Sequence, residues 1–277
     1  MSTVGKNTNY TKVAGVLNNN IIPAQQYRFF LPCAQPTGSG NVTDLSGKLN
    51  IGVIDAATTD GAVWANSGSI TTTSAAAGVG AGVTIPAQNS LSPMGFDLAN
   101  GKSMLWVFQV KIPVNPSGMV LRTLAGSLTA ASGGIVAYVG EASAAFAGRV
   151  TIRIRNAGGT NNTYNSPTTA PLINDGNLHT IAVFVNGVAK TLSVYVDGVA
   201  SAYQTNQDIS AIASTVQVPN IGYGVGHYGD PATTGTLGTQ TRNHQCLVFD
   251  TLPSNINSIV QHIIKNPTKM IESWMVR

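Results

Sequence analysis

Asp175-Gly176-Asn177-Leu178-His179-Thr180-Ile181-Ala182-Val183 leads through Phe184-Val185 to Asn186-Gly187, and Thr191-Leu192-Ser193-Val194-Tyr195-Val196 leads to Asp197-Gly198. The block contains two short apolar runs, residues 180–185 and 191–196, joined across Asn186-Gly187, and the second runs into Asp197-Gly198. Asn-Gly and Asp-Gly accept the left-handed backbone of a tight hairpin, so between apolar runs they signal antiparallel pairing. The segment reads as a β-meander.

The pattern extends upstream. Met104, Trp106, Phe108, Val110 and Ile112 alternate with Leu105, Val107, Gln109 and Lys111, which puts a large apolar set on one strand face. Residues 149–155 alternate more cleanly, with Val150, Ile152 and Ile154 expected inward. Helical periodicity comes late: after Pro253, the residues Ile256, Ile259, Val260, Ile263 and Ile264 form one apolar stripe that Asn266-Pro267 ends. One late helix on an otherwise β chain implies two packed sheets. No internal repeat of solenoid or propeller period occurs.

Three segments read as accessory. Residues 1–27 form an Asn/Thr-rich arm carrying Val13, Val16, Leu17, Ile21 and Ile22. Residues 65–92, rich in Ala, Gly, Ser and Thr, predict a long loop or weak edge strands. Met270, Ile271, Trp274 and Met275 give the tail apolar area that needs a cover. The expected division is an arm (1–27), a sandwich (28–252), and a helix with its tail (253–277).

Composition bounds the function. The chain has 277 residues, 43% hydrophobic, with a mean hydropathy of +0.13, enough for a full core. Only 9% are charged, against about a quarter in an ordinary domain. A net charge of +4 is too dilute for a nucleic-acid groove. Such a sparsely charged surface is better covered than solvated, which points to assembly with other copies or other proteins. No run of 18 apolar residues suggests a membrane span, and residues 1–10 lack the apolar stretch of an export signal. Cys33 and Cys246 have no metal-ligand spacing, so the expectation is two reduced thiols in a chain made in a cytoplasm.

Asp175-Gly176-Asn177-Leu178-His179 followed by Val194-Tyr195-Val196-Asp197-Gly198 resembles the laminin-G-like members of the concanavalin A-like superfamily, with Leu178 where those domains commonly carry Trp. Asp44-Leu45-Ser46-Gly47, the strand at 103–112, Asn220-Ile221-Gly222, and Leu247-Val248-Phe249-Asp250 before the helix fit the same order. The likeness spans roughly residues 28–265. It implies an all-β, two-sheet antiparallel jelly-roll sandwich, with His179 a structural histidine packed on the hairpin and position 178 mainly structural. It also implies that residues 27–33 lie beside 244–249, which leaves open a Cys33–Cys246 disulfide.

Glycanases occur on this fold and need two carboxylates about 5–9 Å apart across a cleft. The only glutamates are Glu141 and Glu272, and Asp175, Asp197, Asp208, Asp230 and Asp250 read as single turn residues. Asp55 and Asp60 sit in a loop context without catalytic spacing. Nucleophile elbows, zinc-protease helices and phosphate loops are absent from the sequence. The expectation is a non-enzyme without cofactor or metal.

The ligand candidate is the loop carrying Tyr223, His227, Tyr228 and Asp230, whose aromatic faces and polar groups suit stacking on sugars. The plainer reading packs the same loop on a neighbouring subunit. Calcium often accompanies sugar sites of the resembled family, with Asp230 and Asp97 or Asp208 as oxygen ligands, but the acidic cluster is thin. Arg149, Arg153 and Arg155 predict a basic stripe, either water-facing or set against an anionic partner.

Laminin-G-like chains of this composition resemble virion structural proteins of tailed bacteriophages. The resemblance implies a capsid decoration or other head or tail accessory protein, made in the host cytoplasm and localised to the virion. Its contacts would be Val13, Val16, Leu17, Ile21, Ile22, Met270, Ile271 and Trp274 against other virion proteins or a second copy. The alternative is a carbohydrate- or receptor-binding adhesin module on a phage fibre.

Overall fold

A computed structural model of the chain describes residues 27–32, 42, 52–54, 62–65, 69–72, 82–84, 101–112, 114, 121–126, 134–139, 147–155, 161–165, 168–202, 220–222, 234–235, 239–254 and 256–266. In chain order the strands are β1 (Tyr27–Pro32), β2 (Val53–Ile54), β3 (Ala62–Ala65), β4 (Ser69–Thr72), β5 (Gly82–Thr84), β6 (Ser103–Lys111), β7 (Leu121–Gly126) and β8 (Gly134–Val139). They continue with β9 (Val150–Arg155), β10 (Asn161–Asn165), β11 (Leu178–Asn186), β12 (Thr191–Val196), β13 (Val199–Ala202), β14 (Asn220–Gly222), β15 (Thr234–Gly235) and β16 (Thr239–Phe249), and the chain then forms the helix α1 (Ile256–Lys265).

Two sheets result. One has the order β13-β12-β11-β6-β16-β4-β3 with β1 also on β16, and the other β10-β9-β8-β7-β14-β5-β2 with β15 also on β7. All pairs are antiparallel except β15 with β7. The fold is the expected two-sheet sandwich with one C-terminal helix. The weakly patterned stretch 65–92 supplies β4 and β5, short strands toward the sheet margins, as residues with little apolar face to bury would.

The core follows the alternation. Met104, Trp106, Phe108 and Val110 of β6 meet Ile181, Val183 and Val185 of β11 and, from the other sheet, Val150, Ile152 and Ile154 of β9. Each buried aliphatic side chain of this kind contributes about 1.5–3 kcal/mol. The opposite face of β6 is buried as well. Leu105 and Val107 join Ala182, Phe184, Leu247 and Phe249 beneath Ile259, Val260, Ile263 and Ile264 of α1. The helical stripe read from the sequence is therefore the side packed on the sheet, and the Asn266 amide closes the helix on the carbonyls of His262 and Ile263. Two covered faces explain why β6 is apolar at nearly every position.

The register places β1 beside β16, as the family resemblance implied, pairing Phe29 with Cys246 and Leu31 with His244. Cys33 lies outside the described residues. Residues 1–26 and 267–277, with Val13, Val16, Leu17, Ile21, Ile22, Met270, Ile271 and Trp274, lie outside them too.

The two hairpin signals resolve differently. Asp197-Gly198 is a two-residue turn with φ of 51° and 85° between the paired residues Val196 and Val199. Asn186, by contrast, pairs with Thr191, so the loop is Gly187-Val188-Ala189-Lys190 rather than Asn-Gly alone. The Asn186 side-chain oxygen accepts from the amides of Val188 (3.1 Å) and Ala189 (2.9 Å), and Lys190 takes φ 51°. That side chain is committed to its own loop, which lengthens the turn.

Candidate functional site

β11 begins at Leu178, so His179 shares the inward parity of Ile181 and Val183 and closes one end of the core at 7% exposure. Its ring lies between two carboxylates. Nδ1 is 2.7 Å from Asp197 Oδ2, and Nε2 is 2.9 Å from Asp175 Oδ1. Both aspartates are oriented by backbone: the Thr180 amide donates to Asp197 Oδ1 (2.8 Å), and the Asn177 amide donates to Asp175 Oδ1 (2.8 Å). The Asn177 side-chain amide donates to Asp175 Oδ2 at 2.8 Å.

Read from the sequence, these aspartates were single turn residues; the hairpin brings both to one histidine. A carboxylate only accepts, so a ring bonded at both nitrogens to carboxylates is the imidazolium. Burial acts against that charge, but the hydrogen bonds to Asp175 and Asp197 and their charges outweigh it and raise the pKa of His179. The hydrogen bond from His179, then those from Asn177, hold the Asp175 carboxyl well below the usual carboxylate range.

This arrangement argues against acid–base chemistry. A glycosidase acid needs a raised pKa, and the shift at Asp175 runs the other way. His179 has no ring nitrogen left to act as a base. The three groups do not converge on a common point, because the ring separates the carboxylates, and among the described residues no set of three His, Cys, Asp or Glu could hold a metal ion. His179 is structural, as the resemblance implied. Leu178 is not a core residue, however; it is 37% exposed, and with Val114 and Leu172 it gives this end of the sandwich exposed apolar groups.

The approach to His179 is fixed by Arg149. The sequence placed Arg149 on a strand with Arg153 and Arg155, but it lies in the bend before β9. Its guanidinium donates to the carbonyls of Thr168 (2.7 Å), Ala170 (3.0 Å) and Ala147 (3.2 Å), anchoring the segment that crosses to β11. Farther along, the Ile173 amide donates to the Gly148 carbonyl (2.8 Å) and the Gly176 amide to that of Ile112 (3.0 Å). Arg153 lies on β9 with its guanidinium carbon 5.6 Å from the centre of the buried Tyr138 ring. Arg155 ends β9, and its side chain is outside the described residues. So are Tyr223, His227, Tyr228 and Asp230, and the calcium candidates Asp97 and Asp208.

Sequence reading also missed a buried polar row on the helix-side face of the first sheet. The Asn243 side-chain amide donates to Gln109 Oε1, and Gln109 Nε2 donates to Thr180 Oγ1 (3.2 Å), joining β16, β6 and β11. Each member looked unremarkable alone, because the partners lie 134 and 71 residues apart. No helix among the described residues is long and apolar enough to cross a membrane.

No known family matches the sequence, and no curated protein matches it. Solved structures share the fold. The binding domain of botulinum neurotoxin serotype D superposes with a TM-score of 0.57 at 10% identity, over 88% of this chain and 52% of that one. The serotype C1 binding domain gives 0.56 at 12% identity, over 89% and 53%. The binding domain of botulinum neurotoxin DC in complex with SialylT gives 0.53 at 10%, over 89% and 52%. This chain thus spans about half the length of those chains.

Proposed function

We propose that this chain is a non-catalytic binding module whose sandwich presents loops to a receptor, in the first place a cell-surface glycan. The observation that carries the reading is the sandwich itself, shared over nearly nine-tenths of this chain with domains described as binding domains, one of them in complex with SialylT. The locked state of Asp175, His179 and Asp197 supports it, since the carboxylates that meet here serve the fold. Tyr223, His227, Tyr228 and Asp230 are the contact residues the sequence offers, by stacking and hydrogen bonding. The test is a glycan array probed with the purified chain, with sialylated and neutral glycans as separate arms. Binding that is lost in the Tyr223→Ala, Tyr228→Ala double variant supports the module and its loop; a silent array with folded protein contradicts the glycan reading.

A second reading is favoured by the 9% charge. On it, the module is a virion component of a tailed bacteriophage, a decoration or accessory protein held by residues 1–27 and the tail, or an adhesin on a fibre. Mass-spectrometric copy number in purified particles separates these: hundreds of copies for decoration, a few for a fibre, none if the virion reading is wrong. Deleting residues 1–27 should leave a folded sandwich that no longer joins the particle.

A further inference from the structure

We propose that Asp175, His179 and Asp197 form a pH-operated latch that ties the turn at 173–177 to the β12–β13 hairpin turn, and that loss of one ring proton releases the Asp175 arm while the Asp197 arm holds. The inference is independent of what the module binds.

The geometry sets the two arms apart. Asp197 belongs to a tight turn whose own amide donates to the Thr180 carbonyl (2.9 Å), and its other carboxylate oxygen is held by the Thr180 amide. Its contact to Nδ1 is the shorter of the two, so the neutral ring keeps the Nδ1 proton there. Nε2 then turns a lone pair toward a carboxylate oxygen of Asp175, and the attraction becomes repulsion. Asp175 takes its other hydrogen bonds from Asn177 within its own turn, whereas Asp197 is held by the amide of a strand residue, so the Asp175 arm is the one that gives way. Opening it alters the rim that carries Leu172 and Leu178 on either side of the turn.

Among the described residues, the other charged groups around His179 are committed or face elsewhere. On β6, Val110 is the residue opposite His179, and Lys111 alternates to the other face beside Leu178. On β16, Thr241 pairs with Val110 and presents a buried hydroxyl without a partner, while Arg242 occupies the adjoining bulge. Arg149 is engaged by three carbonyls. The ring proton therefore answers to the two aspartates.

The sign follows from the two shifts. A raised folded pKa makes the His179 contribution complete below about 6.5, its ordinary value, and lost as pH rises through the folded value. A depressed pKa makes the Asp175 contribution complete above its ordinary value of 3.8 and lost as pH falls through the folded value. The latch is fully closed between those limits and opens on the alkaline side.

Hydrogen exchange of the 277-residue chain from pH 5 to pH 9, corrected for intrinsic chemical exchange, tests this. Protection of the amides of Gly176 and Asn177, bonded to the Ile112 carbonyl and to Asp175 Oδ1, should fall about two- to fivefold, the worth of a partly exposed ion pair, as His179 deprotonates. The amides of Val183 and Val194 should not change. Asp175→Asn can donate to a neutral Nε2 and should keep the turn protected throughout. His179→Gln should remove the pH step, and if that variant does not fold, the Asp175→Asn profile decides. Unchanged turn protection across the wild-type titration, or a wild-type step in Asp175→Asn, overturns the latch.

Discussion

The two turns of the β11-β12-β13 meander start from nearly the same sequence signal and end in different structures. At Asn186-Gly187 the side chain is neutral and is absorbed by its own loop, accepting from Val188 and Ala189. At Asp197-Gly198 the side chain is charged and leaves the loop, reaching His179 and the Thr180 amide across the strands. One turn is four residues long and keeps the Asn186 side chain to itself, docking through the Gly187 amide on Ser103 Oγ (3.0 Å), and the other is two residues long and tied through its side chain to another part of the rim. Asn186 closes the ladder opposite Thr191, so its oxygen meets the amides of the loop that follows, whereas Asp197 is itself a turn residue and its carboxylate reaches the imidazole and amide of the neighbouring strand.

The comparison breaks most sharply at Gly187. A Cβ there would overlap the Lys102 carbonyl oxygen, a backbone atom that cannot move aside cheaply. Gly187→Ala should cost about 2–3 kcal/mol in urea unfolding. At the other turn a Cβ would make only an ordinary contact with Ile264, at 3.8 Å, and the φ of 85° is what is at stake, so Gly198→Ala should cost about 1–2 kcal/mol. Equal losses would mean that close approach is not what distinguishes the turns.

Next in size, Asp197→Ala removes an acceptor for a backbone amide and one partner of a buried ring, and should cost about 1–2 kcal/mol. Asn186→Ala removes two loop hydrogen bonds near solvent and should cost about 1 kcal/mol. The smallest effect separates charge from geometry. Raising salt from about 0.1 M to 1 M shortens the screening length from about 10 to 3 Å. It should take a few tenths of a kcal/mol from the wild type and from Asn186→Ala alike, and less from Asp197→Ala. A salt response confined to the Asn186 turn would contradict the assignment.

Much of this was legible in the chain. The alternation of β6 and β9, the apolar stripe of α1 and the Asp-Gly turn are local, and local periodicity suffices to read them. The length of the Asn186 loop was not legible, because it depends on where that side-chain oxygen finds donors. Nor was Arg149, whose alternation suggested a strand face but whose partners are carbonyls 19 and 21 residues on. The convergence of Asp175 and Asp197 on His179 left a trace, one aspartate four residues before the histidine and the other ending the hairpin. Composition could not bring them together; strand pairing does.

Asp175, His179 and Asp197, an acid–base cluster assembled among the described residues, serve structure rather than acid–base chemistry. Long-range proton–nitrogen NMR correlations of the His179 side chain, followed from pH 5 to pH 9, test this most directly. The account predicts two protonated ring nitrogens at pH 6 and a titration midpoint above about 6.5, the ordinary histidine value. A neutral ring at pH 6, with one nitrogen free to take a proton, would contradict it.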